Sequence, residues 1–132
     1  MATLEQTWSA KLASEATITA ITGTRIYHGK LPQVFTLPAI VYIRTDCWRE
    51  RESTGPNGNA KASIMVRNYG ETSYAAMLLG EIVRKIMDGW QTKTPIRIKP
   101  AVLLRDYDEI DEDTGKPARV HEYSVSHIEE LT

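Results

Sequence analysis

Residues 22–42 read TGTRIYHGKLPQVFTLPAIVY, and they contain the joint from which the rest of the fold can be worked out. Gly23 predicts the end of a preceding helix, and residues 25–28 form a short strand-like run. Pro32 and Pro38 remove two backbone donors, so the segment that holds them cannot continue as a central strand. We interpret the stretch as a connection between elements, which needs no ligand motif to explain it.

Upstream of this joint the sequence has helical spacing. Leu4, Trp8 and Leu12 recur every four residues with polar residues on the other faces, which predicts an amphipathic helix with Trp8 in the core. Thr3 is the predicted N-cap. Residues 16–21 could continue or reverse this helix, although their β-branched threonines lose side-chain freedom in a helix.

A long strand follows the joint over residues 39–50. Its side chains alternate between the two faces of the predicted strand, with Val41, Ile43 and Cys47 on one face and Tyr42, Arg44 and Trp48 on the other. ESTGPNGNA, residues 52–60, predicts a long loop because glycine, proline and asparagine each favour turns. Ala62, Ile64 and Val66 then alternate with more polar neighbours and predict a second strand, so the two strands should form an extended hairpin.

The strongest helical pattern lies in ETSYAAMLLGEIVRKIMDG, residues 71–89, which Asp88 and Gly89 close. Gly80 within it indicates either close packing or simple tolerance. Further strand-like runs and one turn complete the chain, at residues 96–98, 100–107, 119–128 and, for the turn, 114–117. The predicted class is α+β, a mainly antiparallel sheet with two amphipathic helices packed on one face, in the order α-β-β-β-α-β-β.

Composition limits the functions that the chain can have. Its 132 residues are 42% hydrophobic and 25% charged, which predicts one ordinary globular domain over residues 1–132. A formal net charge of -1 gives no global positive field for a polyanion or an anionic membrane. Cys47 is the only cysteine, so no intrachain disulfide forms and a reducing cytoplasm suits the chain. We also expect neither export by a signal peptide nor membrane insertion.

The sequence carries none of the well-marked enzyme motifs, such as a nucleophile elbow, a phosphate-binding loop or a CxxC pair. Cys47 reads as a small, half-buried strand residue rather than a nucleophile. His121 and His127 lie on one predicted strand roughly 20 Å apart, so they cannot share a metal by themselves. We therefore expect no catalytic residue, no cofactor and no metal site.

The acidic run DYDEIDED, residues 106–113, lacks the glycine and glutamate positions that a calcium loop needs. We interpret it as a solvated hairpin end. In a ring-shaped assembly, such carboxylates could instead line a channel and repel the DNA backbone. The residues of this second interpretation are Asp108, Asp111, Glu112 and Asp113.

An aromatic and basic cluster lies near the end of the first hairpin, where Arg44, Arg49 and Arg51 surround Trp48. Such a cluster could clamp a single nucleic-acid strand. Interleaved carboxylates make the local field mixed, however, and arginine and tryptophan are also enriched at protein interfaces. We favour a protein contact, with an ordinary exposed hairpin as a third interpretation. The candidate interface residues are Arg44, Trp48, Arg49, Arg51, Glu52, Pro56, Asn57 and Asn59.

Taken together, the motifs resemble the tail-completion or tail-terminator proteins of long-tailed bacteriophages and prophages. The resemblance rests on TGTRIYHGKLPQ, then LPAIVYIR, a polar hairpin loop, a strand and the helix of residues 71–89. It covers roughly residues 4–128. The last hairpin is similar in order and turn placement, although its acidic density departs from the family pattern.

This resemblance implies a structural protein without enzymatic activity, made in the host bacterial cytoplasm and located in the virion tail. It would assemble as a ring, usually a hexamer, on the head-proximal end of the tail tube. Its partners would be other copies of itself, the tail tube protein and a head-completion or connector protein, with no membrane. DNA would pass through the lumen without sequence-specific binding. The alternative is a small nucleic-acid-binding module that uses Arg44, Trp48, Arg49 and Arg51.

Overall fold

The computed structural model describes residues 3–52, 55–94 and 96–128. In chain order the elements are α1 (Leu4–Ser14), α2 (Ala16–Thr22), β1 (Ile26–His28), β2 (Ala39–Glu52), β3 (Gly55–Tyr69), α3 (Ser73–Met87), β4 (Arg97–Ile98), β5 (Val102–Ile110) and β6 (Pro117–Ile128). The predicted α+β class is confirmed. The described part of the chain has three helices rather than the predicted two, and its sheet has one strand more than the predicted order contains. That strand, β4, lies in the strand-like run predicted at residues 96–98.

The sheet is mixed but mostly antiparallel. From one edge its order is β1, β2, β3 and β6, and the far side of β6 pairs with β5 and then with the short β4. Among the described strands, only β1 runs parallel to its neighbour, with Ile26 opposite Ile40 in β2. All the other strand pairs are antiparallel.

The N-terminal segment forms two helices. Thr3 and Gln6 make a reciprocal capping box at the start of α1, which confirms the predicted cap. Residues 16–21 belong to a separate helix, because Glu15 has extended backbone angles between α1 and α2. The threonines are tolerated in α2 because the hydroxyls of Thr19 and Thr22 donate to carbonyl groups one turn back.

The main core lies between the three helices and one face of the sheet. Its fully buried members include Trp8, Leu12, Ile18, Ile40, Ile64, Leu79 and Tyr123. Trp8 stands at its centre, with ring centroids 5.2 Å from Tyr123 and 5.9 Å from Trp90, both in edge-to-face geometry. The predicted core position of Trp8 is therefore confirmed.

The opposite face of the sheet is covered in part by the connection between β1 and β2. As predicted, residues 29–38 form no strand. Instead, Leu31 and Leu37 are buried against Val41, Tyr69 and Val120 in a second, smaller core. The joint is thus also a packing element, because a parallel β1–β2 pair requires a connection that crosses the sheet.

Two expectations for the first hairpin were wrong. An extra residue in β2 shifts the register between Arg44 and Asp46, so Val41 and Cys47 face opposite sides of the sheet. The predicted loop of residues 52–60 is instead mostly strand, since β2 reaches Glu52 and β3 begins at Gly55, while residues 53 and 54 lie outside the described part. Gly58 has a positive φ of 85° and lies in an irregular stretch of the β2–β3 ladder, which lets the turn-forming residues fit within the strand.

Helix α3 lies directly on β6. A Cβ atom built on Gly80 would lie 2.5 Å from Cγ of Arg119 and 2.9 Å from its Cβ. Of the two interpretations of Gly80, close packing is therefore confirmed. No helix in residues 3–52, 55–94 and 96–128 is long and apolar enough to cross a membrane.

Candidate functional site

The aromatic and basic cluster is divided between the two faces of the sheet. Directly opposed residues of paired strands share a face, and Arg44 and Arg49 lie opposite Ile64 and Ala60, on the helix-covered face. Trp48 lies opposite Lys61 on the other face and is 59% exposed. The structure therefore does not bring Trp48 together with Arg44 and Arg49 to grip one strand of nucleic acid.

The remaining candidate interface residues lie at the far end of this hairpin. Arg51 and Glu52 belong to β2 and Pro56 and Asn57 to β3, but their side chains lie outside the described part of the structure. Asn59 is half-buried and lies opposite Ile128 of β6. The role of these residues in a protein contact stays a prediction.

The acidic run is engaged partly within the chain. Nε of Arg119 donates to Asp108 at 2.6 Å, and the same guanidinium lies 3.6 Å from Asp106 and from Glu81 of α3. Arg119 is largely shielded from solvent in this cluster, so its charge is balanced mainly by these carboxylates. Asp108 therefore ties β5 to β6, in addition to any role that it has at a surface.

On the other face, Asp111 accepts a hydrogen bond of 2.5 Å from the hydroxyl of Tyr69. Partial burial alone would raise the pKa of Asp111, but hydrogen bonds from Tyr69 and from the amides of Asp113 and Thr114 lower it below its usual range. Glu112 and Asp113 are exposed at the turn. Of the four predicted lumen-facing carboxylates, Asp108 is also largely exposed although it bonds to Arg119, whereas Asp111 is half-buried.

A groove of about 910 Å³ separates the turn between β5 and β6 from the β1–β2 connection. Its titratable lining includes Arg67, which donates to Glu109 at 3.1 Å, and the Tyr69–Asp111 pair. The pKa values of Arg67, Tyr69 and Asp111 are shifted, but these groups already bond to one another or to Glu109. In the groove they therefore link β3 to β5 and do not supply an activated nucleophile or base. Among the described residues, no group of three or more metal-ligating side chains comes together.

His121 of β6 is fully buried under α3. Its Nδ1 lies 3.2 Å from the hydroxyl of Tyr123, whereas Nε2 has no hydrogen-bond partner within the described ranges. A Cβ on Gly80 would lie 3.4 Å from Nε2, so the helix closes the space above the ring. Burial lowers the pKa of His121 to about 4. The imidazole is therefore neutral in the folded protein at neutral pH.

Acidification is expected to destabilise the protein through His121. The unfolded chain takes up this proton near pH 6.5 and the folded chain only near pH 4, so the free energy of unfolding falls as the pH drops between these values. From pH 7 to pH 4.5 this contribution is about 2 kcal/mol. Urea unfolding of the wild type and of His121→Gln at both pH values measures it, because the glutamine cannot be protonated in this range.

The charged side chains around the ring come from three elements, namely Asp106 of β5, Arg119 of β6, and Glu81 and Arg84 of α3. All four are present in both proteins, so the difference in pH dependence isolates the histidine. An equal loss of stability in the wild type and in His121→Gln would contradict the prediction.

Two strands of the sheet, β2 and β5, expose a long edge. β1 pairs only with residues 40–42 of β2, and no described strand pairs with that edge of β2 over residues 43–52. On the other side, no described strand pairs with the outer edge of β5. Unpaired strand edges are sites where another chain can add.

Large apolar side chains are exposed along the β5 side of the molecule. Val102, Leu104 and Ile110 project from β5, and Tyr74 and Leu78 from α3, the helix that borders it. Sequence patterns did not predict this surface. The available signal was the run of consecutive apolar residues at positions 102–104. A strand with one face in water alternates polar and apolar residues, so such a run places an apolar side chain on the exposed face.

With this geometry in place, comparison with known proteins identifies the fold. Residues over 92% of this chain superpose on 90% of a chain from the solved structure described as "Virion of native gene transfer agent (GTA) particle", with a TM-score of 0.71 and 16% sequence identity. The two chains share one fold. No protein-family model and no curated protein matches the sequence.

Proposed function

We propose that this protein is a structural virion protein that caps the head-proximal end of a phage tail tube as a ring. The observation that supports this most strongly is the fold shared over 92% of the chain with a component of a gene transfer agent virion. The motifs of residues 22–42 and 71–89, which resemble tail-terminator proteins, point to the same role. In this proposal, the chain acts as one domain and has no enzymatic activity.

The surfaces fit a ring better than an isolated subunit. A cyclic ring requires two different, complementary contact surfaces on every subunit. The outer edges of β2 and β5 lie on opposite sides of the sheet and supply such a pair. The tail tube protein and a head-completion protein would then contact the two rims of the ring, and the number of subunits would be six, as in the family that the sequence resembles.

The acidic turn has a defined place in this proposal. Glu112 and Asp113 are exposed at the turn, whereas Asp108, although also exposed, bonds to Arg119, and Asp111 bonds to Tyr69. If the turn faces the lumen, the two exposed carboxylates repel the DNA backbone and let it pass without sticking. Asp108 and Asp111 would then keep the turn in position.

Deletion of the gene from a producing phage or prophage tests the proposal. We expect tail tubes of uncontrolled length and heads without attached tails in negative-stain electron microscopy, because nothing stops tube growth or joins the two parts. Expression of the wild-type protein in trans should restore tailed particles. Antibody labelling of these particles should mark the junction between head and tail.

Normal tails attached to heads in the deletion strain would overturn the proposal. The nucleic-acid alternative makes a different prediction, which is retention of single-stranded DNA or RNA by the purified protein, weakened by salt and by alanine at Arg44, Arg49 and Arg51. Such retention together with normal tails in the deletion strain would favour that alternative.

A further inference from the structure

The two open edges of the sheet differ in character and match each other. We propose that they bind one another between copies of this chain, with β5 of one subunit adding to the edge of β2 in the next, over residues 43–49, where no described strand pairs with it. The contact is heterologous, so that each subunit uses both edges. This inference rests on the proposed ring and assigns the surfaces that close it.

Strand directions allow this addition. β2 and β6 run in the same direction, because each is antiparallel to β3, and β5 is antiparallel to β6. The outer strands β2 and β5 therefore run in opposite directions within one subunit. When subunits repeat around an axis that lies roughly along the strands, β5 meets the next β2 in antiparallel orientation and the sheet continues without reversal.

Apolar exposure identifies the β5 side as a surface that is covered in the assembly. Leu104 is 63% exposed and Ile110 is 60% exposed, although both belong to a strand of the central sheet. Tyr74 and Leu78 of α3 extend the same side. Exposed apolar side chains grouped on one side of a molecule are typical of protein contact sites, and a second copy of this chain would cover them.

Charge complementarity selects the β2 edge as the partner on the helix-covered face. Asp106 and Asp108 of β5 lie opposite His121 and Arg119, which places both carboxylates on the face that the helices cover. In β2, Arg44 and Arg49 lie on this same face. A continued sheet keeps its faces, so the β2 edge that carries the two arginines would lie on the same face as the β5 edge that carries the two aspartates of the next subunit.

The opposite face is complementary in a different way. Trp48 lies there on β2, and Val102 and Tyr107 lie there on β5, opposite Ser124 and Val120. In the continued sheet the exposed indole of Trp48 would lie on the same face as Tyr107, which is within the regular stretch of β5. Aromatic and arginine side chains of this kind are the common anchors of protein interfaces.

Irregularities in both strands limit the length of this contact. Register shifts occur between Leu103 and Arg105 in β5, and between Arg44 and Asp46 and between Arg49 and Arg51 in β2. The regular stretches are therefore residues 105–110 and 46–49. Bulges and edge charges discourage indiscriminate pairing, so a short and specific ladder is expected rather than open-ended aggregation.

Cys47, the only cysteine, lies on the edge in question and on the helix-covered face, opposite Ala62. A second cysteine can therefore report on the contact. Three variants, Asp106→Cys, Asp108→Cys and Ile110→Cys, place a thiol at successive positions of β5 on the same face. These positions are about 7 Å apart along the strand, so at least one falls within disulfide reach of Cys47 if the strands are neighbours.

The variants are incorporated into particles in a deletion strain, oxidised with copper phenanthroline and separated on denaturing gels without reductant. We expect at least one variant to give a ladder of covalent multimers that reaches the size of the closed ring. The ladder should disappear when Cys47→Ser is added. Val34→Cys, at a 90% exposed position on the β1–β2 connection, is the matched control and should stay monomeric.

Each other outcome contradicts the inference. Dimers without higher multimers would mean a two-fold symmetric contact, and monomers from all three variants in particles that contain the protein would exclude neighbouring β2 and β5 edges. Both results would contradict this inference without contradicting the proposed capping function. Absence of the wild-type protein from the particles would overturn the proposed function, and this inference with it.

Discussion

Replacing Trp8 with alanine is expected to lower the free energy of unfolding by about 4 kcal/mol. Trp8 has no exposed surface and holds α1 against Tyr123 of β6 and Trp90, which follows α3. Alanine would leave a cavity at the point where these elements meet. Urea unfolding followed by circular dichroism at neutral pH measures the loss.

Trp8→Phe is the matched control for this cavity. Nε1 of Trp8 has no hydrogen-bond partner within the described residues, so phenylalanine removes no hydrogen bond and keeps an aromatic ring in place. We therefore expect this variant to lose only about 1.5 kcal/mol. Similar losses for the two variants would show that the pocket can collapse around a missing ring, which would contradict the prediction.

Gly70→Ala is expected to destabilise the protein by about 3 kcal/mol. The added Cβ would lie 2.4 Å from the backbone nitrogen of Ala76 and 2.9 Å from the carbonyl carbon of Ala75, both in the first turns of α3. Gly70 cannot retreat easily, because it is buried and its N–H donates to the carbonyl of Pro117 in β6. The start of the helix would have to move away from the sheet.

Gly29→Ala separates this steric effect from the general effect of replacing glycine. No atom lies within 4 Å of a Cβ at Gly29, but its φ of +88° is unfavourable for alanine. We expect a loss of about 1 kcal/mol from the backbone alone. Chemical denaturation of both variants gives the comparison, and a loss at Gly70 no greater than that at Gly29 would mean that α3 adjusts without cost.

Sequence patterns predicted individual elements well where local chemistry acts within a few residues. Thr3 caps α1 as predicted, and the helical period of residues 71–89 predicted α3. The loop predicted over residues 52–60 was wrong because the turn preference of Gly55 and Pro56 is overridden by pairing with β2. The threonine-rich sequence of α2 was ambiguous for a similar reason, since the stability of this helix comes from hydroxyl bonds to its own carbonyls and from the burial of Ile18.

For the candidate surfaces, the sequence supplied the residue types but not their placement. Arg44, Trp48 and Arg49 are close in the chain, yet one extra residue in β2 decides which side of the sheet each of them occupies. The sequence showed the acidic run near the end of the last hairpin. It did not show that Asp108 bonds to Arg119 and Asp111 to Tyr69, because these partners are distant in sequence.

By itself, the sequence determined the class of fold, the amphipathic helices, the proline-containing connection and the absence of marked catalytic motifs. These follow from backbone preferences and from hydrophobic periods that act over a few residues. Tertiary structure alone decided the strand order, the bulge near Thr45, and the two open edges on β2 and β5. Strand order and register are set by contacts between residues far apart in the chain, because each strand buries one set of side chains only when its partner is in place.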